Sequence, residues 1–217
     1  MPSRGSPPSY WSPPSCGSNS ANEATEPRYE FRIWASSLAE VRARLEKRSK
    51  ARPAKSSRET YIISDATNEA NAKTRAGLMD IKLLLRAELN LEQWDPYLKA
   101  AFPIDTTLIV EKIFPALRVS PPELRRELFT AEAFVDTVVT PHPRLAAVEL
   151  AKTRHQYPIG DCTAEFVEVG IDSSVIHSVA VESSSPRAVL DAINELEIGG
   201  YPNINYVRQI KSMLGRG

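Results

Sequence analysis

The tripeptide Lys-Thr-Arg stands twice in this chain, at 73–75 and at 152–154, each time after an alanine. On a strand, residues two apart share a face, so each copy would set a lysine and an arginine side by side on one side of a sheet; on a helix they would diverge. Arg32, in the run 29–34 (YEFRIW), and Lys82, in 79–86 (MDIKLLLR), bring the set to six cations from four segments. Gathered on one face, six cations repel unless water, carboxylates or a polyanion lies among them. Carboxylates able to share that face are Glu30 in the first run, Glu168 and Asp172 in 164–172 (AEFVEVGID), and Glu182 in 176–182 (IHSVAVE). Several such oxygens with room for water suit Mg²⁺ or Mn²⁺, and a triphosphate would complete the shell. Rows of both signs read as metal plus phosphate; the plainer alternative is the solvated side of an open sheet whose apolar alternates pack inward.

The elements that must position these groups follow from pattern. Residues 29–34 alternate and are aromatic-rich, which predicts a strand. Ser37-Leu-Ala-Glu40 has capping-box spacing and opens a helix with Leu38, Val41 and Leu45 on one face. The basic cluster towards its C-terminal end (Arg42, Arg44, Lys47, Arg48, Lys50) reads as a solvated face favoured by the helix dipole, ahead of a nucleic-acid surface. Segments 60–64, 70–76 and 79–86 are spaced as consecutive hairpins. Residues 91–140, broken by Pro96, Pro103, Pro115, Pro121 and Pro122, predict short helices and one strand. Residues 144–155 (RLAAVELAKTRH) are helix formers, and propensity alone makes them a helix. Segments 164–172 and 176–182 are strand patterns. Ser185-Pro186 is an N-cap and first-turn pair for another helix, and a last one runs from about Asn203 to Gly215.

Composition sets bounds. Lys plus Arg and Asp plus Glu total 27 each, so the protein presents no general field to nucleic acid or an anionic membrane, and any anion site must be local. No run approaches the ~20 apolar residues of a membrane span, and the N-terminus has no apolar signal region, which predicts a cytoplasmic protein. Residues 1–28, rich in Ser, Pro, Gly and Asn, predict a disordered leader, with 29–217 as one domain; oligomeric state is left open. Cys16 and Cys162 have no metal-ligand spacing, and His142, His155 and His177 are scattered.

In its order of elements the chain resembles the CYTH family, the triphosphate tunnel metalloenzymes that include thiamine triphosphatase, inorganic triphosphatase and some adenylate cyclases. That family opens on a Glu-x-Glu-x-Lys strand, continues with strands carrying Arg-x-Arg and a lysine, and closes with a Lys-x-Arg strand and two acidic strands. The counterparts here are YEFRIW, then Lys73 and Arg75, Lys82, Lys152 and Arg154, and Glu168 and Glu182. The resemblance implies an α+β fold built on a closed antiparallel barrel, with 144–155 a strand. It also implies phosphates held by Lys73, Arg75, Lys82, Lys152 and Arg154, with Arg32 an added anchor, and Mg²⁺ or Mn²⁺ held by Glu30, Glu168, Glu182 and Asp172. The first motif departs from the family, reading Glu30-x-Arg32-x-Trp34, and a fixed cation in a metal-ligand position opposes a divalent ion. Three expectations result: a metal-dependent phosphohydrolase acting on a triphosphate; a non-catalytic module for polyphosphate, a nucleotide or another phosphorylated anion; or an interaction protein with a merely structural charged lumen.

Overall fold

The structure, a computed structural model, describes residues 26–171 and 174–215. The expected leader falls on residues that, up to 25, lie outside this range, and so does Asp172.

The architecture is a closed eight-stranded antiparallel barrel with helices on its outer face. In chain order the elements are β1 (Arg28–Ala35), α1 (Ala39–Arg48), β2 (Lys55–Ser64), β3 (Ala70–Arg75), β4 (Leu78–Glu88) and β5 (Leu91–Ala101). A helical section comes next, of short pieces: α2 (Thr106–Leu108), α3 (Phe114–Leu117) and α4 (Ala131–Phe134), extended by π-helical turns at Ile109–Ile113 and Val135–Val139 and tied by a small ribbon of β6 (Ile104–Asp105) and β7 (Leu128–Phe129). Then come β8 (Leu145–Ile159), β9 (Cys162–Ile171), β10 (Ser174–Ser183), α5 (Pro186–Glu195) and α6 (Tyr206–Met213). Around the barrel the order is β1-β10-β9-β8-β2-β3-β4-β5. Among the described residues no helix is long and apolar enough to cross a membrane.

Strand alternation decides what faces the interior. Phe31 and Ile33 of β1, Phe166 of β9 and Val179 and Val181 of β10 point outward and pack under Val41 and Leu45 of α1 and Val189 and Ile193 of α5. On the opposite flank Ile62, Ala72, Met79 and Ile81 pack under Ile109, Ile113, Phe114 and Phe134. The third apolar cluster lies inside the barrel: Tyr61, Val148, Leu150 and Val167 meet Tyr206, Val207 and Ile210 of α6. Helix α6 reaches that position through the seam where β1 and β5 pair only over Arg28–Glu30. Beyond the seam Ile204 N–H donates to the Arg32 carbonyl at 2.9 Å, Arg32 N–H donates to Asn203 Oδ1 at 2.9 Å, and Trp34 Nε1 donates to the Ile204 carbonyl at 2.8 Å. One end of the barrel is thereby stoppered by apolar side chains, and the charged rows lie towards the other.

One local expectation is borne out and two are revised. Of residues 144–155, all but Arg144 are part of β8, as the resemblance implied and propensity did not. Their inward positions alternate (Val148, Leu150, Lys152, Arg154), and pairing to β2 and β9 on both sides outweighs the helix preference of single residues. Residues 91–101 are a full strand, where short helices were expected across most of 91–140; Pro96 is tolerated because it falls at a register shift between the pairs Ile81↔Leu98 and Leu83↔Asp95. The Ser37–Glu40 box makes no cap: α1 starts at Ala39 after Leu38, with no side-chain capping hydrogen bond. At α5 the expected cap is present, Ser185 Oγ accepting from Ala188 N–H at 3.3 Å.

Candidate anion-binding lumen

The unstoppered part of the barrel encloses a cavity of about 860 Å³, counting its open mouth. Its charged lining divides by strand. Four contiguous strands form a basic wall: β8 supplies Lys152 and Arg154, β3 Lys73 and Arg75, and β4 Lys82, against two carboxylates, Glu59 of β2 and Asp80 of β4. The other three charged strands form an acidic wall: Glu30 of β1, Glu182 of β10 and Glu165 of β9, against that wall's single cation, Arg32. The lumen is thus strongly dipolar across its width, although its formal charges nearly balance.

At the centre of the basic wall Glu59, only 4% exposed, accepts from Lys152 Nζ at 3.0 Å and pairs with Lys73 Nζ at 3.0 Å. Burial opposes its charge, but the two lysines outweigh that and hold the carboxyl down to about 2. Lys152 also donates to Tyr61 Oη at 2.6 Å and lies 3.8 Å from the centre of the Tyr206 ring. Burial, with Lys73 beside it, lowers the Lys152 ammonium to about 7. Arg75 pairs with Asp80 at 2.7 Å, and Arg154 of β8 is 3.7 Å from Glu165 on the adjoining β9. Among the described residues Lys82 makes no ion pair, and the inward Asn71 Oδ1 beside it in register has no hydrogen-bond partner. The wall therefore offers one uncommitted cation and several held by shared carboxylates.

The value for Lys152 has two consequences. Its folded value lies below the ordinary 10.5, so it costs stability while protonated in both states and this cost is relieved as pH rises from about 7 towards 10.5. A polyanion beside it favours the ammonium. At pH 8 we therefore expect tripolyphosphate binding to take up a proton, and its affinity to fall as pH rises above about 7. Calorimetric titration in two buffers of different ionisation enthalpy reads that proton directly.

On the acidic wall Arg32 is 4% exposed and almost fully committed. Its Nε and Nη2 donate to the two oxygens of Glu30 at 2.8 and 3.2 Å, Nη2 donates to Glu165 at 3.0 Å, Nη1 donates to Ser178 Oγ at 3.1 Å, and the guanidinium lies over the Tyr206 ring at 4.6 Å. Burial works against this charge, but Glu30, Tyr206 and Glu165 raise its pKa well above the ordinary range, so Arg32 stays a cation. Burial also opposes the charge on Glu30, which Arg32 nonetheless holds below the usual carboxylate range. Glu182, directly across from Glu30 in register, is pushed up by burial and by that neighbour, and meets Arg28 at 3.3 Å.

Of the candidate residues, Arg32, Lys73, Arg75, Lys82, Lys152, Arg154, Glu30 and Glu182 line one lumen. Glu168 does not. It sits one position out of phase, outside the wall, 3.7 Å from Arg42 of α1; the inward acid on β9 is Glu165, whose period-two spacing from Val167 sets it opposite in phase to Glu168. Sequence reasoning also missed Glu59, Asp80 and Tyr206. The first two were legible, since Ser57, Glu59 and Tyr61 alternate in β2 as Asp80 and Lys82 do in β4. Tyr206 was not, because nothing in a helix pattern says that the helix enters a barrel. The arginines of α1 are absorbed by the C-terminal end of α5: Arg48 donates to Glu195 at 2.6 Å and Arg44 to the Leu196 carbonyl at 2.8 Å.

The expected divalent metal does not fit these donors. Glu30 and Glu165 are both taken by Arg32 and Glu168 faces outward. Among the described residues no three His, Cys, Asp or Glu side chains gather in a metal-holding group.

Among solved structures, a candidate adenylate cyclase from Bacillus halodurans superposes with a TM-score of 0.50 at 11% identity, over 83% of this chain and 95% of its own. The fold is the CYTH-type triphosphate tunnel. A conserved hypothetical protein from Pyrococcus furiosus gives 0.49 at 14% identity over 83% of this chain and 98% of its own. A candidate adenylyl cyclase from Hippeastrum with a dominant triphosphatase activity gives 0.46 at 11% over 88% and 97%. No family model matches the sequence, and a search of curated proteins finds no match. At these identities the likeness to the tunnel proteins establishes architecture, and what the neighbours act on is theirs.

Proposed function

We propose that this protein is a binding module for a phosphate-rich anion, a triphosphate, nucleotide or polyphosphate end, which enters the open mouth of the tunnel and lies against the basic wall without a divalent metal. The observation that carries the reading is the segregation of charge: on a wall of four adjoining strands five cations stand against two carboxylates, and a sixth cation, Arg32, is committed to Glu30 and Glu165 on the opposite wall. A linear polyanion finds there several charge-assisted donors in a partly dehydrated site, where each is stronger than at a surface. The stoppered end makes the pocket suited to a chain terminus. Metal-dependent hydrolysis is left out of the reading because the carboxylates it would need are committed to Arg32. A cytoplasmic location, where such ligands are abundant, is part of the same proposal.

A ligand that binds only the folded state raises the melting temperature by mass action, by about 2.7 kcal/mol of stability at a hundredfold excess over its dissociation constant. With tripolyphosphate we expect a saturating rise that is the same in EDTA as in Mg²⁺. A rise seen only with Mg²⁺ would return the family's metal chemistry to this chain, and no rise in either would remove the anion.

A further inference from the structure

We propose that Arg32 is a resident cation that stands among the acidic-wall carboxylates in place of a divalent ion and keeps that wall from being a metal site. The inference concerns the acidic wall and does not rest on what the basic wall binds. Three carboxylates face the lumen from adjoining strands β1, β10 and β9, namely Glu30, its register partner Glu182, and Glu165, and with Arg32 among them they do not gather into a metal-holding group. Drawn together, three carboxylates with water completing the shell are a donor set that Mg²⁺ and Mn²⁺ take. The space between two of them is filled by the guanidinium, which bridges Glu30 in a two-point contact and Glu165 in a third. Ser178 and the Tyr206 face fix its remaining edge and its plane. Unlike a bound ion, this cation does not exchange, so Glu30 and Glu165 keep their partner at every metal concentration. Trp34, two residues on, is turned to the stopper, where it meets Tyr206 edge-on at 4.8 Å, and anchors the 203–206 segment that holds the Tyr206 ring under the guanidinium.

The test uses Mn²⁺ alone, with no phosphate present, read by its paramagnetic signal and by calorimetry on the full chain. Wild type is expected to take up no Mn²⁺ in the lumen. Arg32→Gln, which keeps most of the side chain's volume, and Arg32→Ala are expected to bind one Mn²⁺ saturably at least ~100-fold below the highest concentration at which wild type shows none, the scale of removing a unit charge from within a few ångströms. Arg32→Lys, which keeps the charge, is expected to behave as wild type, and Glu165→Gln added to Arg32→Gln should abolish the gained site. If both truncated variants fail to fold, the wild-type titration still decides: Mn²⁺ bound by wild type and lost in Glu30→Gln would overturn the proposal. Folded Arg32→Gln that takes up no Mn²⁺ would overturn it equally and leave the anion reading standing, whereas Mn²⁺ bound by wild type would also remove the metal-free part of that reading.

Discussion

Lys82→Ala is expected to weaken tripolyphosphate binding by about 10- to 100-fold, the value of one charge-assisted contact, while leaving the unliganded protein's stability within about 0.5 kcal/mol of wild type. The two halves of that expectation come from one fact: among the described residues Lys82 makes no ion pair, so its removal strips no carboxylate of a direct partner and takes from Glu30 and Glu182 only a longer-range attraction. The other basic-wall cations are less informative probes. Removing Lys73 or Lys152 also unbalances Glu59, and removing Arg75 unbalances Asp80. Affinity by calorimetry and stability by urea unfolding, on the same preparation, check the pair of values. Loss of affinity accompanied by an equal loss of stability would mean that Lys82 belongs to the scaffold.

Glu59→Gln is expected to move stability and affinity in opposite directions. The substitution leaves Lys73 and Lys152 buried together without their shared carboxylate, which should cost about 3 kcal/mol at pH 6, the usual scale for a broken buried ion pair. Because Lys152 titrates near 7, part of that cost should vanish by pH 9, where its proton is gone. In wild type the carboxylate's contribution is present above its unfolded value of 4.5 and is lost as pH falls towards about 2. Affinity should rise about tenfold, since the anion no longer competes with an internal carboxylate for the same two ammonium groups. A variant that is destabilised but binds no better would show that the anion does not reach Lys73 and Lys152.

How far the sequence led can be traced through particular residues. The two Lys-Thr-Arg copies set cations on one face because strand geometry requires it, and the order of elements supplied the barrel that brings β3 and β8 to a common lumen with β2 between them. Phase was the weak point. In AEFVEVGID both Glu165 and Glu168 lie in the same strand on opposite faces, and without the register to β8 and β10 neither has a claim on the interior. The role of Arg32 was half legible. Its position in the first motif marked it as unusual, but that it would spend four N–H donors on Glu30, Glu165 and Ser178 depends on three strands meeting. The stopper was hidden because α6 is an ordinary amphipathic helix by pattern. Only the short β1–β5 seam, bridged by Asn203 and Ile204, shows why it enters the barrel end.

The measurement that tests the central claim most directly is a calorimetric titration of the metal-free wild-type protein with tripolyphosphate in EDTA, repeated at several salt concentrations. The account predicts a single saturable site per chain whose affinity falls steeply with added salt, as expected for an anion held by several ammonium and guanidinium groups. Absence of saturable binding at low salt, or binding that appears only when Mg²⁺ replaces EDTA, would contradict it.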